Sequence, residues 1–385
     1  MKKNIAIIFG SKSCEHDISI ITALQIMSSI DKDHYNITPI YISADGVFFT
    51  GQALFDAKNY QDKQKLIKRC NEISFISGKP FVLIKKFKKF STAKNIDVAI
   101  LAVHGLNGED GTLQGMLDLC HIPYTSCGNI ESGICMNKNF MKDILFANGL
   151  PVVDYVSLTD KNDNNINLIK SHLSYPVIVK PSNLGSSIGI KIASTDDQLK
   201  QALDVAFEYD QTVLVERALE NMIEINVGVC KIDGEIKTSN VEQPLSWSKF
   251  LTFEEKYLSK TSKTPSKNDQ NQQNQKIDVS NETINEIKQV AKAAYKAFNL
   301  EGFVRIDMMF DKIEQKIFVN EINTIPGSLS FYLWKNHFKT FSDQLDAAIK
   351  IAHQKYVKKN SLTYCFKSDV LSNFSEKTIG QKIQD

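Results

Sequence analysis

Two neighbouring stretches, Phe303-Val304-Arg305-Ile306-Asp307-Met308-Met309-Phe310 and Lys316-Ile317-Phe318-Val319-Asn320-Glu321-Ile322-Asn323, set charged and amide side chains among apolar ones. Both read as strands, whose successive side chains point to opposite faces. The short polar join between them predicts an antiparallel hairpin. Arg305 and Asp307 then share one face, and Glu321 and Asn323 share one face of the partner strand. Three oxygen-bearing side chains and a guanidinium converging on one spot suit Mg²⁺, a hard cation that bridges a few carboxylates to substrate phosphates. A solvated hairpin with surface ion pairs is the competing explanation, and the apolar residues behind the polar ones weigh against it.

Three further constellations have chemical content. Pro176-Val177-Ile178-Val179-Lys180-Pro181-Ser182-Asn183-Leu184-Gly185-Ser186-Ser187-Ile188-Gly189 places a lysine at the end of an apolar strand and a Gly/Ser turn after it. Glycine lets a backbone approach phosphate, hydroxyls donate to it, and lysine supplies a point charge. The glycine spacing fits neither the Walker A loop nor the dinucleotide fingerprint, and a plain structural turn is the alternative. His104-Gly105-Leu106-Asn107-Gly108-Glu109-Asp110-Gly111-Thr112-Leu113-Gln114-Gly115 crowds four glycines around His104 and Glu109. It follows a strand, at the carboxyl end where open α/β sheets bind ligands. Helix capping by Asp110 or Thr112 is the alternative there. Gly10-Ser11-Lys12-Ser13-Cys14-Glu15-His16 lies in the first strand-to-helix turn, where Glu15 either holds a ligand ammonium or favours the positive end of the helix dipole.

The elements that must position these groups alternate strand and helix, the signature of an α/β fold. Continuous apolar runs predict buried strands at 5–9, 37–42, 81–84 and 97–103. An amphipathic helix after the first has Ile18, Ile21, Ala23 and Ile26 facing inward. The lysine-rich piece 85–94 reads as a solvated connection. A second unit begins near Gly128, with a helix around 136–148 and a strand at 176–180. A third opens with strands at 212–216 and 224–232. The boundaries drawn are 1–127, 128–213 and 214–358, with a polar tail at 359–385. Residues 261–276 turn polar and rich in Asn and Gln, a composition that cannot bury enough apolar surface to order itself. Structure resumes at Ser280, an N-cap, with Ile284, Ile287, Ala291, Ala294, Tyr295 and Phe298 at helical spacing.

The 385-residue length implies more than one core. A net charge of +2 leaves no electrostatic footprint for nucleic acid or an anionic membrane. Seven irregularly spaced cysteines form neither a CxxC pair nor a disulfide framework. No apolar run is long enough for a bilayer, so the cytoplasm is the expected compartment.

In this order, GSKSCEHDIS, HGLNGEDGTLQGML, IPYTSCG, PVIVKPSNLGSSIG, EEKY, VRIDMMF and VNEINTIPG resemble the D-alanine–D-alanine ligase family of ATP-grasp enzymes, over most of residues 4–335. The resemblance implies a three-domain ATP-grasp fold with an N-terminal Rossmann-like domain. It implies ATP and Mg²⁺ or Mn²⁺, with two ions, D-alanine as substrate, and a homodimer. Glu15 would hold the ammonium of the first D-alanine, with His104 and Glu109 lining that pocket. Lys138, Lys180 and Ser187 would meet ATP phosphates. Glu216 and Leu219 would form the adenine edge, and Glu224 the ribose contact. Ser186 would link Glu15 to Tyr257 of a lid that also carries Lys256. Asp307, Glu321 and Asn323 would be metal ligands, and Arg305 and the Gly327 backbone would stabilise the transition state. Ser328 and Ser330 are the two candidates for the second substrate's carboxylate. The implied reaction phosphorylates one D-alanine carboxylate and then joins it to a second amine. D-serine or D-lactate as acceptor, or an ATP-binding module without catalysis, are the alternatives. The missing Gly-x-Gly-x-x-Gly after the first strand counts against a nicotinamide dehydrogenase.

Overall fold

The structure, a computed structural model, describes residues 2–86, 89–162, 164–244, 277, 279–365 and 367–368. Its strands gather into three sheets. The first is built on β1 (Lys3–Gly10), buried from Ile5 onward. A strand with no polar face needs cover on both sides. It is packed by α1 (His16–Ser29) and lies parallel between β2 (Tyr35–Ile42) and the later β7 (Val98–Leu101). Between those two, β3 (Phe48–Thr50), α2 (Lys63–Lys68), β4 (Asn71–Phe75), β5 (Phe81–Lys86) and β6 (Lys89–Asn95) extend the sheet antiparallel, in the order β6-β5-β4-β3-β2-β1-β7. Helix α3 (Thr112–Leu119) follows β7.

Two expectations for this layer are corrected. Residues 85–86 and 89–94 are not a connection but lie in the paired strands β5 and β6. Lys85 pairs with Glu72 at 2.5 Å and lies over the Phe90 ring. Lysines are tolerated on a sheet edge, where charge discourages pairing with another chain. In α1, Ile20, Ala23, Ile26 and Met27 face inward, whereas Ile18 is half-buried and Ile21 is 40% exposed. The helix is turned by about one residue because Ser19 and Thr22, buried with their hydroxyls bonded, share the inward face.

Helices α4 (Asn129–Met136) and α5 (Lys138–Ala147) lead into the second sheet. That sheet comprises β8 (Tyr155–Leu158), α6 (Asn165–His172), β9 (Val177–Pro181), β10 (Lys191–Ala193), α7 (Asp196–Tyr209) and β11 (Val213–Arg217), with strand order β10-β9-β11-β8. β11 was expected to open the third unit. It instead pairs with β8 and β9, because its apolar residues Val213 and Val215 complete the core under α7. The third sheet, β13-β12-β14-β15, is antiparallel. It comprises β12 (Met222–Ile232), β13 (Glu235–Glu242), β14 (Val304–Asp311) and β15 (Lys316–Asn323). Helix α8 (Asn281–Ala297) is capped by the Ser280 hydroxyl, which accepts from the Thr283 N–H. Its Ile287, Ala291, Ala294 and Tyr295 share a core with Met141 and Leu145 of α5. Helix α9 (Phe341–Asn360) returns to the beginning of the chain: Leu345, Ile349 and Ala352 sit in the core of the first sheet.

Candidate active site

The three sheets meet around Glu15, Lys180 and the β14–β15 hairpin. Glu15 is the residue before α1, yet its side chain does not cap the helix. Its carboxylate instead accepts the hydroxyl of Ser186, from the loop after β9. The Gly105 turn leaves room for it: a Cβ there, at φ +74°, would come within 2.3 Å of Ser13 Oγ and 3.1 Å of Glu15 Oε2. Ser186 and Ser187 are both left-handed, at φ 55° and 59°. Such residues persist only where neighbours over-determine them. Here Asp210 accepts from the Asn183 N–H at 2.6 Å and Lys138 Nζ donates to the Leu184 carbonyl at 2.5 Å. Burial lowers the Lys138 pKa, against the pull of Glu321.

Lys180 ends its strand between two partners, the Glu216 carboxylate and the Asn320 amide oxygen at 3.2 Å. Glu216 also receives Lys142 of α5 at 2.6 Å, and both of those side chains are 1% exposed. Burial opposes charge on Glu216, but the two lysines override it and hold its carboxyl at about 2. Its carboxylate is therefore turned inward, against the two lysines. Beyond it, Leu219 lies against Val153, Met222, Met309 and Phe318 in a small apolar cluster. Glu224 stands in register with Met309, on the cluster's side of the sheet.

On the hairpin, Asp307 is in register with Glu321 and Arg305 with Asn323. Arg305 grips Asp307 through two 2.6 Å hydrogen bonds, and Asn323 donates to it at 3.0 Å. Burial pushes the Asp307 carboxyl up to about 6, with Glu321 adding to the rise and Arg305 opposing it. Two facing carboxylates with an amide beside them form an oxygen-donor set suited to a hard dication. Among the described residues no three His, Cys, Asp or Glu side chains gather; the group beside the carboxylate pair is the Asn323 amide. The register slips after Asp307, leaving Asn320 as the extra residue of a bulge. Bulges re-aim side chains, and this one turns Asn320 to Lys180.

His104 is buried, with Nε2 2.9 Å from the Thr22 hydroxyl. Burial depresses its pKa to about 4, against a hydrogen bond to the Ile325 main chain. Glu109 accepts from the Gly105 N–H at 2.9 Å and the Ile325 N–H at 3.2 Å. Burial, with Glu15 nearby, raises its carboxyl to about 8. Past Gly327, Ser328, Leu329 and Ser330 form a left-handed turn at φ 52°, 49° and 51°. Each costs about 1–2 kcal/mol for an L-residue, so contacts elsewhere hold it: Gln344 donates to the Leu329 carbonyl at 2.8 Å. Ser328 is half-buried and its hydroxyl meets Gln25, whereas Ser330 is 1% exposed. Lys256, Tyr257 and the polar stretch 261–276 lie outside the described residues.

Lys142, Asn320 and Thr22 belong to this site and were not singled out from sequence. Lys142 could have been found, since it follows Lys138 by one helical turn on the face that carries Met141 and Leu145 into the core. Nothing local announces a bulge at Asn320.

Comparison with known proteins agrees with this geometry. Residues 4–127 match the model of the D-ala D-ala ligase N-terminus and 144–349 that of the C-terminus. The D-alanine–D-alanine ligase of Thermosipho africanus is 39% identical over 97% of this chain and 100% of its own length. That of Thermosipho melanesiensis is 40% identical over 92% and 94%. Among solved structures, the Coxiella burnetii D-alanine–D-alanine ligase superposes with a TM-score of 0.77 at 25% identity, covering 94% of this chain and 96% of that one. The VanG D-Ala:D-Ser ligase of Enterococcus faecalis gives 0.76 at 27%, covering 91% and 100%. A phosphate-type loop and an acidic hairpin facing each other from two antiparallel sheets, beside a parallel-cored N-terminal layer, define an ATP-grasp ligase. The chain belongs to the D-alanine–D-alanine ligase family.

Proposed function

We propose that the chain makes D-alanyl-D-alanine from two D-alanines and ATP, for peptidoglycan precursors, with the residues above in the following roles. The observation that carries the assignment is the Ser186–Glu15 hydrogen bond, which joins the substrate end of the first layer to the phosphate loop of the second. Glu15 holds the ammonium of the first D-alanine and sets its carboxylate toward Lys138, Lys180 and Ser187. That carboxylate attacks the γ-phosphorus of ATP, ADP leaves, and an acyl phosphate forms. The amine of the second D-alanine then attacks the acyl carbon, loses a proton, and phosphate departs. Preorganised positive charge is the largest catalytic term in such transfers, and Arg305 with the Gly327 N–H supplies it at the reacting centre. Mg²⁺ (or Mn²⁺) held by Asp307, Glu321 and Asn323 would add charge neutralisation on the phosphates. The adenine lies against Leu219 and the main chain at Glu216, and the ribose beside Glu224. Ser328, the more accessible of the two serines, receives the acceptor's carboxylate. Tyr257 and Lys256 close the lid, excluding water that would hydrolyse the acyl phosphate.

We divide the chain after β11, near Ala218, into the second and third units, and place a homodimer in the cytoplasm. No helix among the described residues is long and apolar enough to cross a membrane. The test is phosphate release from Mg-ATP with D-alanine as donor and D-alanine, D-serine or D-lactate as acceptor, with products identified by mass. Faster turnover with D-serine or D-lactate would reassign the acceptor; none with any would leave a nucleotide-binding module.

A further inference from the structure

Helix α1 carries Ser19, Thr22 and Gln25 at intervals of three, on one side of the helix. The Ser19 hydroxyl accepts from the Gly10 N–H and donates to the Ala102 carbonyl, both at 2.6 Å, tying the ends of two parallel strands. One turn on, Thr22 is 1% exposed, and its hydroxyl accepts from the Ser328 N–H at 3.3 Å. The same oxygen is 2.9 Å from His104 Nε2. Another turn on, Gln25 meets the Ser328 hydroxyl. On the near side of Gly327, Glu109 accepts the Ile325 N–H and His104 bonds the Ile325 main chain. The residues flanking Gly327 are thus held by side chains of the first layer.

A hydroxyl has one proton and two acceptor lone pairs. The Ile325 N–H is taken by Glu109, so His104 bonds the Ile325 carbonyl through Nδ1–H; Nε2 then accepts the Thr22 proton, and a Thr22 lone pair takes the Ser328 N–H. His104 and Glu109 then serve as a clasp on the 325–328 segment, and Thr22 joins its two halves. We propose that Thr22 is a positioning residue for the amide-forming step, fixing through Ser328 and His104 the left-handed turn that presents the Gly327 N–H and receives the acceptor. This rests on the reading of Gly327 and Ser328 given above.

Thr22→Val removes the hydroxyl at nearly constant volume, and Thr22→Ser keeps it. The measurements are the two D-alanine KM values, the ATP KM, and dipeptide formed per ATP hydrolysed. In Thr22→Val the acceptor-site KM should rise by about tenfold or more, as expected when a part-buried N–H and the buried His104 both lose their partner. Dipeptide per ATP should fall, and the ATP KM should hold within about twofold. Thr22→Ser should restore all three. A Thr22→Val enzyme with unchanged acceptor KM and yield overturns the proposal. So does a Thr22→Ser enzyme as impaired as Thr22→Val, which would assign the effect to the lost methyl. Should Thr22→Val not fold, Gln25→Met at an exposed helix position tests the same clasp. It should raise the acceptor KM several-fold, and no change overturns the proposal. Failure of the wild-type enzyme to form dipeptide would instead refute the functional reading.

Discussion

Replacing Lys142 with methionine keeps the volume of the side chain and deletes one of the two charges that hold Glu216. The carboxyl of Glu216 stands at about 2 against an ordinary 4.5. That gap is worth about 3 kcal/mol. It is a stabilisation present above pH 4.5 and lost as pH falls toward 2. Removing one partner of a buried pair costs roughly 3–5 kcal/mol, and Lys142 also donates to the Val319 carbonyl at 3.1 Å. Lys142→Met should therefore lower stability by about 3 kcal/mol in urea unfolding and move the acid limb to higher pH. Lys180 becomes the remaining ion-pair partner of Glu216 and is drawn from the phosphates, so the ATP KM should rise by about tenfold. The double variant Lys142→Met/Glu216→Gln removes the uncompensated carboxylate and should recover about 2 kcal/mol relative to the sum of the single changes. A loss below about 1 kcal/mol, or additivity of the two substitutions, would refute the description of this triad as one electrostatic unit.

Glu15→Gln should raise the donor D-alanine KM far more than the ATP KM, since a bound ammonium loses its anion; equal effects would favour the helix-dipole explanation. Glu321→Gln should abolish phosphate release at ordinary Mg²⁺ while leaving the thermal midpoint unchanged; near-normal turnover would remove it from the metal ligands. His104, held down to about 4 against 6.5 in the open chain, stabilises the fold above pH 6.5. That contribution, about 3 kcal/mol, is lost as pH falls toward 4 and should be missing from the titration of His104→Gln; an unchanged slope between those pH values would count against it.

The hairpin and the Lys180 loop were legible because each has a local signature. Alternation set Asp307 opposite Glu321, and Gly and Ser marked the phosphate turn. What escaped the sequence depends on partners distant in the chain. Lys142 has its spacing from Lys138 to mark it, but nothing local tells that its partner will be Glu216. The slip that turns Asn320 inward arises from strand pairing. The pairing of β11 with β9 is decided by which core its valines complete. The rotation of α1 shows the same limit, since an apolar stripe could not anticipate that Ser19 and Thr22 would be buried with their hydroxyls bonded.

The return of α9 to the first sheet bears on how the protein is made. That core spans Ile5 to Tyr124 and is finished by Ile325, Leu329, Leu345, Ile349 and Ala352. A ribosome adding roughly 5–20 residues per second reaches Ala352 roughly 10–45 s after Tyr124. Through that interval the nascent first layer holds an apolar face with nothing to cover it. The second layer closes on residues 156 to 215, and the core under the third is complete by Ile322, while the first waits. The layer synthesised first is therefore completed last, and α9 sets the moment at which the growing chain is safest from its neighbours on the polysome.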